Sequence, residues 1–176
     1  MEVIRDQHGL LTIVKCRVMT GQLHQMNISY NPKEDRLLLR VSSKGGDEFR
    51  LWLTRRYTGM LINILKQELT KYGGEPTLAS SDETKNMIKA GAFQQSYEGG
   101  NAGYPLGESG VLGFRINTGL AGEGIMRLEL LPEQGQGISL NLDKTLLYML
   151  HNLVVQGIDQ AGWNLLKHTP ESLNVH

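Results

Sequence analysis

Apolar and polar positions alternate with a period of two over Glu48–Leu53, setting Phe49, Leu51 and Leu53 on one side and Arg50 and Trp52 on the other, which predicts a β-strand. From Arg55 the apolar spacing lengthens to that of a helix. Tyr57, Met60, Leu61, Ile64, Leu65 and Leu69 then share one face as far as Gly73 and Gly74, and Thr54 is placed to cap the first turn. Upstream, strands are predicted over 10–18, 26–30 and 36–41, the first for its alternating Leu10, Thr12, Val14, Cys16 and Val18. A turn at 19–23 separates the first two. Pro32, flanked by Asn31 and Asp35, predicts the next turn, and Gly45 and Gly46 supply the positive dihedrals of a hairpin loop at 43–47.

The same order returns in the second half. A strand at 111–117, a glycine-rich turn at 118–124, a strand at 125–131, a loop at 132–136 and a strand at 138–142 lead to Asp143, a cap in the place of Thr54. The helix that follows carries Leu146, Leu147, Leu150, Leu153, Val154 and Ile158 on one face, with Gly162 and Trp163 just beyond its end. Residues 36–69 and 125–158 align without a gap at an offset of 89, matching Leu39 with Leu128, Gly46 with Gly135, Leu51 with Leu140, Leu53 with Leu142, Met60 with Met149 and Asn63 with Asn152. The pattern predicts an α+β protein: a tandem duplication of an antiparallel (β-β-β)-α unit, with two sheets and two long helices related by a pseudo-twofold. The first repeat covers 1–72 and the second 111–166. Between them, 73–110 reads as a flexible linker with a short helix at 81–93 and a mobile, aperiodic piece at 98–105, and 167–176 reads as a frayed tail.

Composition changes this picture in two respects. The chain of 176 residues carries 18 basic and 18 acidic side chains, but residues 1–72 hold 12 Lys and Arg against 7 Asp and Glu, leaving 6 against 11 for the remainder. The first half is therefore the basic one, which suits either pairing of the halves or an anionic partner. No run approaches the roughly 18 apolar residues of a membrane span, and the charged start lacks the form of a signal peptide, so no membrane role and a cytoplasmic location are expected. The single Cys16, in an alternating apolar stretch, reads as a small buried thiol.

Candidate chemistry is sparse. His8, His24, His151, His168 and His176 are scattered without the spacing of a metal site, and His151 aligns with Ile62, which suits a helix-surface or core residue. Gly107-Glu108-Ser109-Gly110 runs one residue short of a nucleophile elbow, and the glycines of 119–124 match neither a dinucleotide nor a phosphate-loop spacing. The neighbours Asp47 and Glu48 fall on opposite faces of a strand. No catalytic residue, metal or cofactor is expected, and the chain reads as a non-enzymatic binding protein.

One constellation has binding character. Strand alternation turns Arg36, Leu38 and Arg40 outward beside Arg50 and Trp52, and Arg55 and Arg56 extend the charge at the strand end. Guanidinium groups around an indole suit single-stranded DNA or RNA, because phosphates meet the arginines while bases stack on the ring. The second half offers Arg127, Glu129, Ser139 and Asn141 at the matching positions, so only one face is basic. The same residue types are also enriched in protein interfaces, and the alternative is a protein-partner or homo-oligomeric scaffold that covers this face.

Strands followed by a helix, twice in tandem, resemble the sheet-plus-helix plan of the Whirly and PUR families of single-stranded nucleic-acid-binding proteins. That likeness covers about 10–72 and 111–163, rests on element order, and implies splayed sheets that bind the strand. Separately, Glu48-Phe49-Arg50-Leu51-Trp52-Leu53-Thr54-Arg55-Arg56 is similar to a segment of an uncharacterised bacterial protein family, which implies no activity.

Overall fold

A computed structural model describes residues 3–5, 11–13, 16–18, 23–73, 97 and 103–165. Strands β4 (Leu23–Asn31), β5 (Arg36–Ser43) and β6 (Glu48–Leu53) are antiparallel neighbours in one sheet, and β7 (Val111–Leu112) joins β6 in parallel as the fourth strand. In the second sheet β8 (Arg115–Gly122), β9 (Ile125–Leu131) and β10 (Gly137–Leu142) are antiparallel, and the fourth strand is β3 (Cys16–Val18), parallel to β10. Each sheet is thus completed by a short strand from the other half of the chain. A separate ribbon pairs β1 (Val3–Arg5) with β2 (Leu11–Ile13). Helices α1 (Arg55–Thr70) and α2 (Lys144–Gln160) complete an α+β architecture of two sheets and two long helices.

Local chemistry explains the elements. The β5–β6 loop is held by Ser43, whose hydroxyl accepts from the Asp47 amide at 3.2 Å and whose carbonyl accepts from the Gly46 amide at 3.0 Å. Thr54 caps α1 by accepting from the Tyr57 amide at 3.2 Å, and Asp143 caps α2 with one oxygen shared by the Thr145 and Leu146 amides at 2.9 and 2.8 Å. In the first hairpin Leu37, Leu39 and Val41 stand opposite Leu53, Leu51 and Phe49; in the second, Met126, Leu128 and Leu130 stand opposite Leu142, Leu140 and Ile138. These are the same pairs moved by 89 residues. All twelve side chains are buried, and with the apolar faces of both helices they form one continuous core.

The helices cross-brace the halves. α1 and α2 pack on each other, and α2 also lies against β4 of the first sheet. Gly157 makes that approach possible, since a Cβ there would stand 2.7 Å from Cγ2 of Ile28 and 2.9 Å from Cδ1 of Leu37. Past the helix end, the indole N–H of buried Trp163 donates to Asp35 Oδ1 at 2.8 Å, Tyr30 donates to the same oxygen at 2.9 Å, and the two rings meet edge to face at 6.1 Å. In the other direction Tyr57 and Tyr72 of the α1 region donate to the carbonyls of Arg115 and Gly124 at 3.1 and 3.2 Å.

The Trp163 and Tyr30 hydrogen bonds, with Arg55 nearby, hold the Asp35 carboxyl below its usual pKa. A depressed folded-state value stabilises the protein above the unfolded carboxylate pKa of about 3.9, and the contribution disappears as pH falls through the folded value. Asp35 has φ +48°, a conformation asparagine tolerates, so Asp35→Asn isolates the charge. The variant is expected to melt below wild type at neutral pH, with the gap closing under acid. Melting curves between neutral pH and about pH 3 check this; an unchanged gap contradicts it.

Several expectations are corrected. The alternating stretch 10–18 is not one strand: β2 joins β1 whereas β3 joins the second sheet, a division that local alternation cannot reveal. Residues 111–117 likewise divide between sheets. The break falls at Gly113, where a Cβ would come within 2.9 Å of the Tyr57 ring. The turn expected at 118–124 is mostly strand, since β8 runs through Gly122, and only Glu123 and Gly124 turn. Gly103 and the residues after it are docked on the first sheet, the Glu48 amide donating to the Gly103 carbonyl at 2.8 Å, so this part of the piece expected to be mobile is held. The helix at 81–93, the turn at 19–22, residues 98–102 and the tail lie outside the described residues.

Candidate nucleic-acid interface

Alternation in β5 and β6 turns Arg36, Leu38, Arg40, Arg50 and Trp52 to the outer side of the first sheet, and the pairing sets Arg40 beside Arg50 and Leu38 beside Trp52. The arginines and the indole are therefore brought together as the spacing implies, but they divide into two groups. At the β5–β6 loop end the face is occupied by the protein's own chain. The Arg50 Nε donates to Glu48 Oε1 at 2.6 Å and its Nη1 to the Glu108 carbonyl at 2.6 Å, while the guanidinium lies 4.4 Å over the Tyr104 ring. Glu48, wholly buried, raises the pKa of that guanidinium. Arg40 donates to Asn27 Oδ1 at 2.7 Å and lies 4.4 Å over Tyr97, whose hydroxyl pKa is pushed up by burial and by Glu48. Both arginines are thus engaged by internal contacts.

The opposite end of the face is open. The Arg36 side chain is 38% exposed and, among the described residues, pairs with Glu34 at 3.2 Å, a surface pair of small worth. Arg55 and Arg56 are exposed in the first turn of α1, which has no acidic residue. Trp52 is half-buried, and its indole N–H donates to the Ser109 carbonyl at 2.8 Å, which fixes that ring edge. Leu112 stands beside Trp52 in β7 and is 43% exposed. Gly113 lies against the inward Tyr57 ring, and Phe114, 56% exposed, follows where the chain crosses to the second sheet, its amide donating to the Leu131 carbonyl at 2.8 Å. Leu38, Trp52 and Leu112 thus form a partly exposed apolar row across the first sheet, on the same face as Arg36, with Arg55 and Arg56 following β6 in the chain.

Leu112 was not legible as a site residue. Alternation sets it opposite Val111 in facing, but only the parallel pairing of β7 with β6 says whose face it joins. On the second sheet Arg127 and Asn141 are exposed, Ser139 is buried, and Glu129 accepts from Asn117 Nδ2 at 3.3 Å. That face has no matching cluster of aromatic and basic groups among the described residues. No described helix is long and apolar enough to cross a membrane. Comparison of the chain with protein-family models, curated proteins and solved structures gave no match.

Proposed function

We propose that the chain is a non-enzymatic, cytoplasmic binding protein for single-stranded DNA or RNA, built from a duplicated hairpin-and-helix unit with pseudo-twofold symmetry. Trp52, on the same sheet face as Arg36 and followed in the chain by Arg55 and Arg56, carries the functional reading. Its ring supplies a stacking platform of about 1–3 kcal/mol per base, and the guanidinium groups supply phosphate contacts. Arginines at the positive end of a helix dipole oppose helix stability by a few tenths of a kcal/mol each. An anionic ligand seated there would reverse that penalty. A second reading, a protein partner on the same patch, is favoured by the contiguous apolar Leu38 and Leu112.

Support for the duplicated architecture comes from recurrences at the offset of 89. Left-handed backbone at Asp35, Gly46 and Gly73 (φ +48°, +89° and +86°) recurs at Gly124, Gly135 and Gly162 (φ +67°, +91° and +64°). The helix-end aromatics Trp163 and Tyr72 bond to residues 35 and 124, which are themselves 89 apart. The short strands β3 and β7 each pair in parallel with the last strand of the opposite unit.

The test is a fluorescence titration with a mixed-sequence oligonucleotide at low and moderate salt. Quenching that vanishes in Trp52→Phe is expected, because Trp163 is buried. For three phosphate contacts, log K should fall with log salt at a slope of about −2. Absence of quenching at both salt concentrations removes the nucleic-acid reading and leaves the protein-partner one.

A further inference from the structure

We propose that β8 is a self-association edge, pairing antiparallel with β8 of a second copy so that the two second sheets become one across a twofold axis. The starting observation is Leu120, 81% exposed in β8. It stands opposite Met126, as Tyr30 stands opposite Leu37, and Met126 lies 89 residues after Leu37. Tyr30 is covered by Trp163 from the end of α2. The residue 89 before Trp163 is Gly74, which has no side chain to offer. Leu120 therefore occupies the position that an aromatic covers in the first sheet; at 81% exposure it has no such cover among the described residues, Tyr72 bonding instead to the Gly124 carbonyl. Ile125, 36% exposed across the same hairpin turn, extends the uncovered apolar surface.

Sheet order makes a second copy the fitting occupant. β8 is an edge strand of its sheet, and among the described residues nothing pairs with its outer side. An open edge of eight residues is a template for strand addition. Its charges are complementary to themselves. Arg115 begins the strand and Glu123 follows its end, and neither has an ion-pair partner among the described residues. β8 is irregular between Leu120 and Gly122 and Glu123 lies in the turn beyond, so the regular register runs over 115–120: antiparallel pairing centred on Gly119 sets Leu120 opposite Thr118 of the other copy and carries Arg115 toward Glu123 of the other copy. The two Leu120 side chains then lie on a diagonal of about 7–8 Å, within contact range for long side chains. Such a contact is isologous and closes as a dimer. It uses neither Trp52 nor the arginines of the first sheet, so it holds or fails independently of nucleic-acid binding.

Sedimentation of the full chain across a range of concentrations tests the pairing, with a species of twice the 19.6 kDa chain mass expected. Leu120→Lys should raise the dimer dissociation constant by roughly tenfold or more, with melting of the exposed-site variant otherwise unchanged. Arg115→Glu should weaken the dimer and Glu123→Arg, added to it, should restore it. The register is read by Gly119→Cys in a Cys16→Ser background: a Cβ at 119 meets nothing within 4 Å, and opposed residues about 4.5–5.5 Å apart are within disulfide reach. Asn117→Cys, off the axis, should cross-link poorly. A monomer at every concentration, or a dimer indifferent to Leu120→Lys and the charge swap, overturns the proposal.

Discussion

Leu51→Ala and Leu140→Ala should each lower stability by about 3 kcal/mol, and each should weaken the whole protein rather than its own half. Both side chains are buried, at 2% and 3% exposure, in the middle strands of the two sheets. Removing the Cγ methine and both δ-methyls from such a site costs their transfer free energy plus the cavity left behind, within a usual range of about 2–5 kcal/mol. The core is continuous across both sheets and both helices, so the loss is shared. For a chain of this length the melting temperature should fall by about 6–12 °C in a single transition. Far-ultraviolet circular dichroism and Trp163 fluorescence, followed together, check this. Two separated transitions in either variant would mean that the halves unfold independently.

Arg50→Ala should cost about 2–3 kcal/mol, whereas Arg36→Ala should cost less than about 1. The two residues look equivalent as outward arginines of one hairpin, yet their surroundings differ. Arg50 is 24% exposed and bonded at 2.6 Å to a carboxylate that has no exposure, so its removal strips a charged partner from a buried acid. Arg36 meets a half-exposed Glu34 in water, where screening leaves little net energy. Adding Glu48→Gln to Arg50→Ala should recover part of the loss by removing the buried charge. Denaturant unfolding measures all three variants. The same proteins separate stability from binding, because Arg36→Ala should reduce oligonucleotide affinity and salt dependence at nearly unchanged stability. Equal stability losses for Arg36→Ala and Arg50→Ala would contradict the division of the face.

Where bonding partners are near in sequence, the amino-acid pattern was readable to the residue. The boundaries of β6, the caps Thr54 and Asp143, and the inward rows of both hairpins follow from periods of two and about 3.6, and from which side chains can accept a free amide. Partners far away in sequence left no such trace. Cys16–Val18 pairs with Gly137–Ser139, and Leu51–Trp52 with Val111–Leu112, and no local periodicity distinguishes such short parallel strands from the ends of their neighbours. Glycines misled at 118–124 because three of them were read as a turn, whereas only Gly124 takes a positive φ there. The candidate site shows the same boundary. Alternation placed the arginines and Trp52 on one face, but which of them stay free depends on Tyr97, Tyr104 and the carbonyls of Glu108 and Ser109, roughly a third of the chain length away.

Exchange of short strands and cross-bracing helices implies that neither sheet can open while the other stays closed. Native-state amide hydrogen exchange in low denaturant reads this directly, strand by strand. The account predicts that the most protected amides of Glu48–Leu53 and of Gly137–Leu142 exchange through one opening, with the same free energy and the same denaturant slope. Exchange of one set through a separate, lower-energy opening while the other remains protected would contradict it.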